Sequence, residues 1–142
     1  MPKVRPPHLR VRLLGLVLLG GAAGTLLRWA VGLAVPHVGG LPLGTAAVNL
    51  LGAFVLGALL EHLALLGPDE GRRRDLRLTL GTGLCGGFTT YSALALDTDG
   101  LLRAGAVGPA LAYALGTVGL GLVASALGIA AARHLRASGG PA

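Results

Sequence analysis

Apolar residues run through this chain in four long blocks, with the polar residues gathered between them. The blocks are roughly Leu13 to Val35, Leu43 to Leu66, Leu76 to Leu96 and Val107 to Ala132. Each is about the length of a membrane-spanning helix, which needs ~20 mostly apolar residues. Helix is the expected form because lipid offers no partner to an exposed backbone group. The pattern predicts an all-α membrane protein, with residues 1–142 forming a single four-span membrane domain. The third block differs from the others. It carries glycine at 81, 83, 86 and 87, then hydroxyls at Thr89, Thr90 and Ser92. Each interior glycine costs about 1 kcal/mol of helix propensity relative to alanine. The third helix is therefore expected to break at mid-membrane, where freed backbone groups can hold an ion.

Composition agrees with this picture. The chain is 53% hydrophobic and only 13% charged, with a formal net charge of +6. A basic balance can signal nucleic-acid binding, but these arginines flank apolar runs and no recognition motif accompanies them. They read as topology signals and as contacts to lipid head groups. Lysine and arginine in short loops mark the cytoplasmic side. With four spans, Lys3, Arg5, Arg10, Arg12, Arg72, Arg73, Arg74, Arg77, Arg133 and Arg136 share one side, against Arg28 and Arg103 on the other. Both termini are thus expected in the cytoplasm, as parts of a multi-pass protein of the cell membrane. The basic stretch before Leu13 resembles the start of a secretory signal. No small-residue cleavage site follows it, so the first block reads as a retained helix.

Polar residues within spans are costly unless they face protein or water, so they are the sharpest functional pointers. Gly20 and Gly24 in the first span read as a close helix contact. Arg28 either snorkels to head groups or makes a water-filled vestibule electropositive. Asn49 is the one strongly polar residue well inside the second span. It either bonds across helices or offers its amide donors to a permeating anion. In the fourth span Tyr113, Thr117, Gly121 and Ser125 recur every four residues and share a face, which suggests a polar track. Cys85 reads as a small buried residue. Glu61 and His62 close the second span where solvation is cheap. Two glycine patterns that mimic a dinucleotide fingerprint, at Gly81 and Gly119, lie inside spans and follow no strand, so they carry no such meaning. No catalytic triad, histidine cluster or carboxylate pair appears, and the chain reads as no enzyme.

The segments GGAAGTLLRW, PLGTAAVNLLGAFVLG and GLCGGFTTYS together resemble the CrcB/Fluc family of fluoride channels, over essentially the whole chain. The resemblance implies an antiparallel, dual-topology dimer of four-span subunits with two narrow fluoride pores at the interface. It also implies a structural sodium ion at the dimer centre, held by backbone carbonyls of the broken helix; by position these are Gly86 and Thr89. Asn49 matches the family's pore asparagine, and Arg28 its span-one arginine. Tyr113 and Thr117 fall on its polar track, and Asp97 where members carry an acidic residue. The family run TTFSTF is TTYSAL here, so Tyr91 and Leu94 replace two phenylalanines, with Phe88 one turn earlier. An aromatic edge is electropositive and can face an anion; leucine has no such edge.

The leading expectation is a subunit of a fluoride-specific channel that lowers cytoplasmic fluoride by passive efflux. Fluoride holds water tightly, so such a pore must replace its hydration with well-placed donors. The one-sided arginines favour a heterodimer with an oppositely oriented homologue over an antiparallel homodimer. A small proton-coupled drug exporter of similar length is the alternative from another class, but it wants a carboxylate in the first span, which has none. A non-conducting partner subunit is the third reading.

Overall fold

A computed structural model describes residues 11–35 and 40–138. Among these the chain is helical, in the order α1 (Val11–Ala34), α2 (Leu43–Leu66), α3 (Gly71–Leu76), a π-helical stretch (Arg77–Cys85), α4 (Gly86–Phe88), α5 (Tyr91–Arg103) and α6 (Val107–Ser138). Helices α1, α2 and α6 are each long and apolar enough to cross a membrane. Their outer faces are as apolar as their contacts: Leu18 is 72% exposed and Leu122 70%. A helix that is apolar all round needs a nonpolar surrounding, such as lipid provides.

The third span is made of pieces. It stays helical from Gly71 through Phe88, leaves the helix at Thr89 (φ −80°, ψ 159°) and Thr90 (φ −152°, ψ 118°), and resumes at Tyr91. The break therefore falls at the two threonines and not among the glycines that foretold it. Gly86 itself has ordinary helical angles, φ −64° and ψ −37°. A π-helical stretch of this kind is rare and tends to occur at functional sites.

Two of those glycines, Gly83 and Gly87, serve close packing instead. Helix α1 lies along the π-helical stretch and α4, while α2 lies along α6 and α5 leans on α6. A Cβ on Gly24 would press on the Leu84 carbonyl and come within 2.8 Å of the Phe88 nitrogen. One on Gly83 would come within 2.7 Å of the Val17 carbonyl oxygen. One on Gly87 would collide with the Gly21 backbone. Two backbones thus touch through facing glycines, the small-residue packing expected between helices in lipid.

One end of the bundle gathers the arginines. Arg12 Nη2 lies 2.6 Å from Asp75 Oδ2, joining α1 to α3. Arg133 donates to Glu61 at 2.8 Å, and Arg136 donates to the Leu65 carbonyl, joining α6 to α2. Lys3, Arg5 and Arg10 lie outside the described residues. Arg103 is at the opposite end, paired with Asp99 at 2.6 Å.

Replacing Gly24 with valine should cost about 3 kcal/mol, the upper range for overpacking, because the obstructing atoms are backbone and cannot rotate away. Gly15→Ala, where a Cβ meets nothing within 4 Å, should leave the thermal midpoint in detergent unchanged or slightly raised. Equal midpoints for the two variants would contradict the glycine contact.

Candidate functional site

The break is held from outside the third span. A continuing helix would send the Thr90 N–H to the Gly86 carbonyl. Here it donates to Asn49 Oδ1 at 2.7 Å, and Asn49 Nδ2 donates back to the Thr90 carbonyl at 3.0 Å. One carboxamide from α2 thus satisfies both polar groups of an extended residue, as a neighbouring strand would. The threonines close the two helix ends. Thr89 Oγ1 donates to the Cys85 carbonyl at 2.9 Å, finishing α4. Thr90 Oγ1 accepts from Ala93 N at 3.2 Å, capping α5. Gly52, one turn after Asn49, leaves space for the Thr89 methyl, which a Cβ would strike.

These diversions bare particular carbonyls. The Gly86 carbonyl loses the Thr90 N–H to Asn49, and the Thr89 carbonyl loses the Ala93 N–H to the Thr90 hydroxyl. Among the described residues no backbone N–H replaces either, nor does one reach Gly87 or Phe88. Gly86 is exposed, with open space where a Cβ would sit. Carbonyl oxygens without a backbone donor are the kind of ligand that a hard cation prefers. Among the described residues no cluster of His, Cys, Asp or Glu offers a rival metal site.

A cavity of about 420 Å³ opens between α2, α5 and α6 beside the Asn49–Thr90 hydrogen bonds. Asn49, Thr89, Thr90, Tyr91, Leu94, Thr117 and Ser125 all contribute to its wall. Thr117, Gly121 and Ser125 line it together, so the four-residue spacing on α6 does form a stripe. Thr117 Oγ1, however, spends its hydrogen on the Tyr113 carbonyl at 2.7 Å. Tyr113 is buried behind the cavity, its hydroxyl 3.2 Å from both Asp97 Oδ2 and the Pro42 carbonyl. Arg28 lines a separate space of about 100 Å³ with Thr45, Val48 and Thr90. Phe88 is buried and lines neither space, whereas Tyr91 is 83% exposed. Cys85 is buried, as its small size suggests.

Sequence reasoning missed Thr90 as the pivot and Gly52 as its accommodation. The one available signal was a threonine three residues before Ala93, the spacing of a helix cap. Its partnership with Asn49 spans 41 positions and left no local trace.

Residues 15–129 match the family model described as CrcB-like protein, Camphor Resistance (CrcB). A curated protein of Leifsonia xyli subsp. xyli, named fluoride-specific ion channel FluC 2, is 54% identical over 125 residues, covering 88% of this chain and 86% of that protein. FluC 1 of Cutibacterium acnes, also named a fluoride-specific ion channel, is 49% identical, covering 85% of each. A FluC of Thermus thermophilus, named likewise, is 46% identical, covering 80% of this chain and 89% of that protein.

Asn49→Ala should lower the thermal midpoint by the worth of an orphaned Thr90 amide, about 1–3 kcal/mol. Thr90→Val keeps the shape and the Asn49 bonds but removes the cap, and should cost about 1 kcal/mol. A larger loss for Thr90→Val than for Asn49→Ala would contradict the leading role of the carboxamide.

Proposed function

Because the chain belongs to the CrcB family, we propose that its broken third span and the cavity beside it form half of a fluoride pathway. The protein is a multi-pass membrane protein and a fluoride-specific channel, not an enzyme. The observation that carries the pathway is the Asn49 carboxamide. One of its amide hydrogens holds Thr90, and the other has no partner among the described residues, while the side chain lines the cavity. An amide hydrogen fixed in place and short of an acceptor suits an anion that must shed water. The Ser125 and Thr117 hydroxyls extend the polar wall, and Tyr91 adds an aromatic edge at the exposed margin. Tyr113 stands at the end of this track, with Asp97 as its partner. Arg28 adds positive charge at the neighbouring space, where it can draw anions inward. Fluoride would leave the cytoplasm passively, down its gradient.

The cavity is open on one side, and so are the bared carbonyls. A second subunit in antiparallel orientation would close both. The Gly86 and Thr89 carbonyls are the groups of this chain that would hold a sodium ion at the dimer centre. Such an ion would supply positive charge that ties the broken spans together, and it would stay in place as fluoride passes. The arginine-rich end, with both termini, faces the cytoplasm. A chain with so one-sided a charge inserts one way, so its partner is an oppositely oriented homologue in preference to a second copy. Leu94 supports the further reading that this subunit conducts poorly by itself. It is buried in the cavity wall but has no aromatic edge to offer.

Fluoride efflux from liposomes, followed with a fluoride electrode, tests the proposal. The chain co-reconstituted with a homologue of reversed arginine bias should release fluoride quickly, and the chain alone slowly or not at all. Rapid release by the chain alone would contradict the heterodimer, and no release from either would contradict the pathway. Asn49→Asp in the active preparation should cut flux at least tenfold by placing a carboxylate against the anion. Gly86→Val should leave the subunit folded but abolish sodium-dependent pairing, read by light scattering with and without sodium. Unchanged pairing would remove Gly86 from the central ion site.

A further inference from the structure

A second cleft, with charged side chains at its rim, lies far from the break, at the arginine-rich end, where the chain turns from α2 into α3. It measures about 120 Å³ and is walled by Leu60, Leu63, Ala64, Asp69, Arg73 and Arg77. The turn is built around Gly67, whose φ of +124° only glycine adopts easily. The Arg73 guanidinium carbon lies beside it, 3.6 Å from where a Cβ would sit. Arg73 Nε donates to the Pro68 carbonyl at 2.7 Å, which fixes the plane of its fork. Its two terminal amino groups make no hydrogen bond among the described residues. Arg77 is aimed by Asp69, with Nε at 2.9 Å and Nη2 at 2.7 Å from Oδ2.

The charges do not cancel. Hydrogen bonding to Arg77 holds the Asp69 carboxyl below its ordinary range, so the acid stays ionised and is committed to that one arginine. Asp75 is shared between Arg12 and Arg74. Arg74 Nε is buried without a partner among the described residues. Arg73 therefore keeps a surplus positive charge and an oriented pair of donors, the arrangement that suits a phosphate. The rest of the cleft wall is apolar. Its wall passes through Leu60, 41% exposed, onto the outer surface of α2. A free phosphate would leave that apolar strip wet, whereas a phospholipid covers it with its acyl chain while its phosphate meets the guanidinium.

We propose that this cleft binds the headgroup phosphate of an anionic phospholipid at the edge of the bilayer, with Arg73 as the primary contact. Basic pockets between spans at the cytoplasmic surface are a known means of recognising anionic lipid. The site is part of one subunit and needs neither fluoride nor a partner. Its occupancy would also favour the leaflet that is rich in anionic lipid, which strengthens the orientation set by the arginines.

Native mass spectrometry of the full chain released from detergent, titrated with phosphatidylglycerol or phosphatidylcholine, tests the assignment. Phosphatidylglycerol should form a saturable adduct, at most one per subunit at low concentration, and bind more tightly than phosphatidylcholine. Arg73→Gln should weaken that adduct about fivefold, the worth of one basic residue at an anionic surface. Arg103→Gln, at the opposite end, should leave it intact. Equal binding of the two lipids, or an unchanged adduct in Arg73→Gln, would overturn the proposal. Loss of the adduct on adding millimolar inorganic phosphate would assign the cleft to free phosphate and overturn the lipid reading. Should Arg73→Gln fail to fold, the wild-type chain still decides: phosphatidylglycerol should raise its thermal midpoint and phosphatidylcholine should not, and equal shifts would overturn the site.

Discussion

A helix inside a bilayer cannot simply stop, because each peptide group it releases must find a partner that lipid will not supply. At Thr90 this chain meets that requirement with one side chain. The Asn49 carboxamide takes the Thr90 N–H and gives a hydrogen to the Thr90 carbonyl, so the span can become extended there without an orphaned group on that residue. Everything around the break is arranged by that exchange. It sets α2 against the third span, diverts the donor that Gly86 would otherwise keep, and brings Asn49 to the wall of the larger cavity.

The two faces of the third span then take opposite characters. Toward α1, glycine meets glycine and the backbones touch, leaving no room for water or an ion. Toward α2 and α6, the same span borders open space with hydroxyls and the Asn49 amide along it. The tight contact anchors the span while the open face borders the cavity, and both depend on missing side chains. Gly24 and Gly83 allow approach on one face, and Gly52 admits the Thr89 methyl on the other.

Much of this was legible in the residues. The second apolar block coincides with α2 at both ends, and the first ends within a residue of α1. Hydropathy sees only what lies in lipid, so it missed the polar ends of the third span, Gly71 to Arg74 and Asp97 to Arg103, which are helical at the membrane edge. It likewise stopped at Ala132, short of the end of α6 at Ser138. Propensity announced a break but placed its cause in the glycines, which remain helical; at Gly83 and Gly87 close contact with α1 offsets their local cost. The polar stripe on α6 was correct as a spacing. The inward burial of Tyr113 and the absence of Phe88 from the cavity wall were not legible, since both depend on how distant helices cross. The Asn49–Thr90 exchange was the least visible element, being set by tertiary packing alone.

The central claim is that Thr89 and Thr90 are extended within the membrane and that Asn49 holds them so beside an anion path. Solid-state NMR of the labelled full-length chain in lipid bilayers, paired with its homologue, reads this directly. Extended-backbone carbon shifts are expected at both threonines, with a side-chain nitrogen shift at Asn49 that moves with fluoride and not with chloride. Helical shifts at Thr89 and Thr90, or an Asn49 nitrogen equally indifferent to both anions, would contradict it.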